Sequence, residues 1–204
     1  HRTYRLLSAS LDRRFKDNWS FNASYTRAIR SGNTNRSNGY DDASVNPNYQ
    51  VNFDGKLPGF HDNEIKARGV LRLPWNMDLS ASFTYLSGEH YTRVVKAATT
   101  PIGKIAPGIF AEPLGSGSFP SRRLLDLHLS QRIRLSKQVQ AELFADVFNL
   151  LNTGTPTAWT STTSNNISAR NATDSGAKAI YSQYLKPSTQ EDARYVRLGF
   201  RLKF

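Results

Sequence analysis

The last eight residues, Arg197-Leu198-Gly199-Phe200-Arg201-Leu202-Lys203-Phe204, decide how the rest of this chain is read. Apolar side chains fall at 196, 198, 200, 202 and 204, with Arg197, Arg201 and Lys203 between them. Successive side chains of a strand point to opposite faces, so this segment has one greasy face and one basic face. A soluble β-sandwich would turn the greasy face inward. Here the same division recurs in every other strand-like segment, and the polar faces are too charged to be covered casually. The repetition implies an all-β fold, the antiparallel wall of a transmembrane barrel, with lipid outside and a wet, charged interior.

Working back along the chain, the alternation appears at about 4–14, 19–29, 63–73, 77–87, 122–135 and 139–149, with the closing strand at about 193–204. Residues 19–29 are typical: Trp19, Phe21, Ala23 and Tyr25 oppose Ser20, Asn22, Ser24 and Thr26. Asp17-Asn18, Pro74-Trp75-Asn76 and Ser136-Lys137-Gln138 supply three tight turns. Polar connections of about 30–62, 88–121 and 152–192 separate the hairpins, and the first is expected to have no packed core. Seven strands joined alternately by short and long connections follow the rule of outer-membrane barrels, whose short turns are periplasmic. That rule places the C-terminus on the periplasmic side. A strand of about 11 residues rises roughly 36 Å and, tilted near 40°, spans about 28 Å of membrane. Trp19 and Trp75 lie beside short turns, with Tyr25 and Tyr85 at the opposite ends, as aromatic girdles would. Three long loops argue against the sandwich, since long structureless loops are uncommon in compact domains.

The 204 residues contain no cysteine, which excludes disulfides and thiolate metal sites. Net charge is +11 and mean hydropathy −0.53, and no run approaches the length of an apolar spanning helix. His1-Arg2-Thr3-Tyr4-Arg5 shows neither an initiator Met nor a signal peptide, so the chain reads as a fragment or a cleaved product. An odd number of strands, with two edges unpaired in lipid, equally implies strands beyond these.

No catalytic constellation emerges, and no metal or cofactor site: His61, His90 and His128 are scattered, and His1 is terminal. The polar strand faces hold Lys66, Arg68, Arg72, Arg132, Arg134, Arg197 and Arg201, expected to point into the lumen. An arginine on the lipid face near the midplane would cost about 2–4 kcal/mol, which supports that assignment. These cations can pair with acidic groups of neighbouring strands or meet a ligand. Arg27, Arg30, Arg36, Arg93 and Lys96 lie toward the external side, within reach of lipopolysaccharide phosphates. The basic residues follow strand parity and form no dense patch with stacking aromatics, which argues against nucleic acid. Tyr40, Tyr49, Phe53, Phe60, Tyr181 and Tyr184 are candidate ligand contacts on the external loops.

Four segments then carry a resemblance to a known family. Leu11-Asp12-Arg13-Arg14-Phe15 followed by Ala23-Ser24-Tyr25-Thr26 forms one. Gly69-Val70-Leu71-Arg72-Leu73-Pro74-Trp75 is the second, and Phe144-Ala145-Asp146-Val147-Phe148-Asn149-Leu150-Leu151-Asn152-Thr153 the third, with Leu151 where phenylalanine is commoner. The fourth, Arg197-x-Gly199-x-x-Leu202-x-Phe204, is similar to the signal that the barrel-assembly machinery recognises. Together they resemble the C-terminal part of a TonB-dependent outer-membrane receptor of the Oar-like, carboxypeptidase-regulatory-like type. The resemblance implies a complete barrel of about 22 strands, a plug, and a TonB-contact segment outside these residues. It further implies a ligand bound at the external loops and plug, imported or exported with TonB-coupled energy, and no enzymatic chemistry. The alternative is a structural barrel that anchors a surface assembly without active transport.

Overall fold

A computed structural model of the chain describes residues 1–33, 51–96, 109–110, 112–159, 162–165 and 186–204. Its framework is one antiparallel sheet of seven long strands: β1 (Arg2–Lys16), β2 (Trp19–Gly32), β3 (Asn63–Leu73), β4 (Met77–Leu86), β5 (Arg122–Arg134), β6 (Gln140–Phe148) and β7 (Tyr195–Lys203). Each pairs with the next in chain order, and a two-residue strand, Gly55–Lys56, extends the sheet beside the upper end of β2. The described residues contain no helix, so none is long and apolar enough to cross a membrane. The sheet is open, and β1 and β7 form its two edges.

Register shows why the strands share faces. Leu11, Ala23, Ala67, Phe83 and Leu125 lie in one row across β1 to β5, and the adjacent row is Asp12, Asn22, Arg68, Ser82 and Asp126. Across β5, β6 and β7 the rows Leu129-Ala145-Leu198 and His128-Asp146-Arg197 repeat the contrast. A one-residue slip of any strand would carry its apolar set to the polar side, so hydrophobic patterning pins the register. Nothing in the described sheet covers the apolar face. Leu198 is 76% exposed and Phe200 70%, while the buried apolar residues are Ala28, Leu57, Phe110 and Leu114, none of them in the middle of the wall. Exposure of that extent is unusual for a face meeting water.

The turns follow from residue type. Asp17 and Asn18 adopt φ of 54° and 70°, the left-handed pair that a type I′ hairpin requires and that Asp and Asn tolerate. Trp75 and Asn76 adopt 61° and 58°; for tryptophan this is uncommon, and the side chain is highly exposed. The third turn is tied by the Ser136 hydroxyl, which accepts from the amides of Gln138 and Val139.

The structure differs from the sequence expectations mainly at the other end. The β1–β2 ladder extends to Arg2 and Gly32, because backbone pairing continues where the apolar alternation has stopped. The connections hold short ladders: His90–Tyr91 with Gly117–Ser118, Val94–Lys96 with Ile109–Phe110 and with Thr162–Asn165, and Pro156–Trp159 with Pro187–Gln190. Nor is the first connection without a core. Leu57 is buried with Phe110 and Leu114 of the second connection, and Phe53 stacks on Phe110 at 5.6 Å between centroids. The cluster joins residues of two connections, so neither connection signals it alone.

Candidate functional site

The polar face of the wall is laced by ion pairs that run across strands. Arg72 Nε donates to Asp78 Oδ1 at 3.0 Å, and Arg132 bonds the other oxygen of the same carboxylate. Arg201 Nη1 reaches Glu142 Oε2 at 3.2 Å, and Lys66 pairs with Glu64 on its own strand. The basic partners of these pairs are roughly half exposed, and each pair contributes at most about 1 kcal/mol. Asp146 differs: its side chain is 6% exposed and is held from both sides. His128 Nδ1 lies 2.6 Å from Oδ1, and Arg197 Nε donates to Oδ2 at 2.8 Å, joining the last three strands through one carboxylate. Arg68 and Arg134 make no ion pair among the described residues. Arg68 borders a concavity of about 380 Å³ on this face, which Asp12, Asn22, Asp126, His128 and Asp146 also line.

The two asparagines that follow β6 are structural. Asn149 and Asn152 adopt φ of 49° and 51°, where asparagine is among the residues best tolerated. The buried Asn149 amide group donates to the carbonyls of Thr153 and Asp192, and its backbone N–H donates to Asp126. Asn152 Oδ1 in turn accepts from the amide of Arg194, so this turn fixes where the chain enters β7.

The four C-terminal positions of that pattern, Arg197, Gly199, Leu202 and Phe204, fall on different surfaces. Arg197 holds Asp146, Leu202 points to the apolar side, and Phe204 is almost fully exposed. Gly199 opposes Phe144, whose ring lies over it so closely that a β-carbon would fall inside van der Waals contact. Gly199→Ala therefore displaces the ring and is expected to cost about 1–3 kcal/mol, as overpacking does. A double-mutant cycle with Phe144→Leu, read from the urea midpoint of the folded barrel, checks this: the cost shrinks when the ring is absent.

At the opposite end, the polar connections form a second cluster. Phe60 lies under the Arg30 guanidinium of β2, 3.9 Å from ring centroid to carbon, and remains partly exposed, whereas Phe53 packs against the small core. Tyr40, Tyr49, Tyr181, Tyr184 and Arg36 lie outside the described residues. Asp62 accepts from Lys56 Nζ at 3.0 Å and lies 2.9 Å from His90 Nε2, tying the first connection to the second. Burial alone would raise the Asp62 carboxyl, but hydrogen bonds from His90 and Lys56, with their positive charge, outweigh it and hold it below its ordinary value. The carboxyl thus contributes its full stabilisation above about pH 4 and loses it as pH falls through the lowered folded value. The expected result is faster pepsin nicking of this junction in strong acid, normalised to an unfolded substrate. Asp62→Asn is expected to nick as fast at the upper end of the acid range as at the lower.

Beside this network stands an aromatic stack that sequence inspection passed over. Phe119 lies between Tyr91 at 4.5 Å and Trp159 at 5.1 Å, centroid to centroid, with interplanar angles of 24° and 7°. The rings come from positions far apart in the chain, so no local pattern signals the stack. The histidines stay apart in separate pairs, His61 with Glu89, His90 with Asp62 and His128 with Asp146. Among the described residues no three His, Cys, Asp or Glu side chains converge as a metal site.

Comparison with known proteins gives a fold likeness. No family model and no curated protein matches the sequence. Among solved structures, the ferric-catecholate import receptor Fiu from Escherichia coli K12, crystallised in its closed form, superposes with a TM-score of 0.50 at 13% identity. The match covers 96% of this chain and 20% of that receptor, so the chain spans about a fifth of the receptor's length. At this identity the likeness carries the architecture alone: these strands are arranged like a section of an import receptor.

Proposed function

We propose that the chain is the C-terminal wall section of a TonB-dependent outer-membrane receptor of the Oar-like type. One observation carries the reading. Seven consecutive antiparallel strands put an uncovered apolar face on one side and an ion-paired polar face on the other. All three tight turns lie at one end and the folded connections at the other. Support comes from the likeness to one section of an import receptor. On this reading the apolar face meets outer-membrane lipid, and the polar face lines a lumen that a plug fills. The connections with their aromatic stack and ion-paired junction face outside, where ligand and lipopolysaccharide arrive. The C-terminus faces the periplasm, where the barrel-assembly machinery meets β7. The protein binds and moves a ligand with TonB-coupled energy and carries out no covalent chemistry.

The test is the intact mass and N-terminal sequence of the native polypeptide in the bacterial outer-membrane fraction, together with crosslinking to TonB. A mass several times 22.9 kDa, with a plug upstream and a TonB crosslink, is the expected result. A native barrel lacking a plug and a TonB crosslink overturns the receptor reading in favour of a scaffold.

A further inference from the structure

We infer that a small cavity beside the aromatic stack is a binding subsite for one ring of a neutral sugar. The inference rests on the reading that the long connections face outside. The cavity measures about 180 Å³, below the range of about 300–1,000 Å³ that takes a whole drug-sized ligand. Its size suits a single ring. All three connections or their ends contribute: His61 from the first, Glu89 and Phe119 from the second, and Trp159 from the third, with Arg122 at the head of β5.

The walls are built before any ligand arrives. The Tyr91 ring occupies the space a side chain at position 117 would need, so Gly117 lets the ladder of His90–Tyr91 with Gly117–Ser118 hold that ring against Phe119. Trp159 ends a ladder with Pro187–Gln190 and stacks on the other side of Phe119. Phe119, Trp159, Pro120 and Pro156 thus present fixed apolar surface, which suits the C–H patches of a pyranose and spares ordering entropy on binding.

The polar end determines the ligand class. His61 Nδ1 lies 2.5 Å from the Ser87 carbonyl oxygen, which can only accept, so Nδ1 carries a proton. Nε2 lies 3.5 Å from Glu89 Oε1, so a proton on it is turned toward that carboxylate and Glu89 is the acceptor at this end. Its two oxygens call for two adjacent donors, and a vicinal pair of hydroxyls supplies them. The cation of the cavity, Arg122, is already paired with Glu191, so its charge is balanced within the protein. A strongly anionic chelate would have to compete with that carboxylate and approach Glu89, whose side chain is 44% exposed. A neutral diol meets neither obstacle.

The experiment uses the native outer-membrane polypeptide that contains this chain, purified in detergent. Equilibrium dialysis is run with maltose, cellobiose, chitobiose and their monosaccharides, and with ferric 2,3-dihydroxybenzoate as the anionic probe. At least one neutral sugar is expected to bind, and Glu89→Gln and Trp159→Ala each to weaken it at least about tenfold, as loss of a hydrogen bond to a charged group or of a ring wall does. Heat-modifiable migration confirms that each variant is folded. Absence of binding by every sugar at millimolar concentration, or binding that neither substitution changes, overturns the inference. So does a preference for the anionic chelate at this site. TonB crosslinking in a protein that binds no sugar refutes the subsite and leaves the receptor reading intact. Sugar binding by a barrel with no plug does the reverse.

Discussion

Replacing His128 and Arg197 together with leucine is expected to destabilise the barrel by about 3 kcal/mol, the low end of what breaking a buried ion pair costs. The Asp146 carboxylate is the buried member of the group, and His128 and Arg197 are its two partners. Both partners retain water on their outer sides, which favours the low end of the range. With both gone, a buried negative charge keeps neither ion pair nor hydrogen bond from them, and the leucines shield it further from solvent. Either single substitution leaves one partner and costs less. The diagnostic result comes from adding Asp146→Leu to the double variant. Removing the stranded charge should return most of the lost stability, because a packed apolar group is often an adequate substitute for a buried ion pair. Urea midpoints of folded barrels, compared among the single, double and triple variants, supply the measurement. A triple variant weaker than the double would show that packing, and not charge, dominates at this position.

The second large effect is Leu198→Arg. The side chain projects from the middle of β7, 76% exposed on the apolar face. If that face met water, an arginine there would change stability by no more than about 0.5 kcal/mol, as at ordinary surface positions. Against the hydrocarbon core the same change costs about 2–4 kcal/mol. The medium, and not the neighbouring side chains, sets the outcome. Arg201→Leu, on the opposite face of the same strand, is the control: it loses only the half-exposed pair with Glu142 and is expected to cost about 1 kcal/mol or less. A large penalty for Leu198→Arg with a small one for Arg201→Leu, measured by folding into liposomes, distinguishes lipid outside from water on both sides.

The wall was legible because period-two alternation is a local signal. Leu198, Phe200 and Leu202 against Arg197, Arg201 and Lys203 state the two faces within eight residues, and the same contrast repeats in β1 through β6. The turns were legible for a similar reason, since Asp17-Asn18 carries its own conformational preference. The rim was not. Phe110 and Leu114 meet Leu57 only when two connections fold together, and Phe119 meets Trp159 across forty positions of sequence. Strands of two to four residues are too short to show alternation, so their ladders left no mark. Asp146 is the instructive middle case. Its polar-face parity was visible, but its burial depends on Arg197 arriving from a strand about fifty residues later. Phe144 and Phe148 share that polar face. Gly199 explains the first, and the stack of Phe148 on Tyr195 at 4.6 Å the second.

The central claim is that the apolar face of this sheet touches lipid. The chain contains no cysteine, so single cysteines can be placed along β7 without a competing thiol in these residues. Each is labelled with a small fluorophore in native outer membranes, and quenching by bromine-labelled lipid tails is measured. Strong quenching at 196, 198, 200 and 202, with little at 197, 201 and 203, is the result this account predicts. A soluble sandwich would also bury the first set, yet show no quenching by lipid at either. That flat profile, or the opposite alternation, would contradict the account.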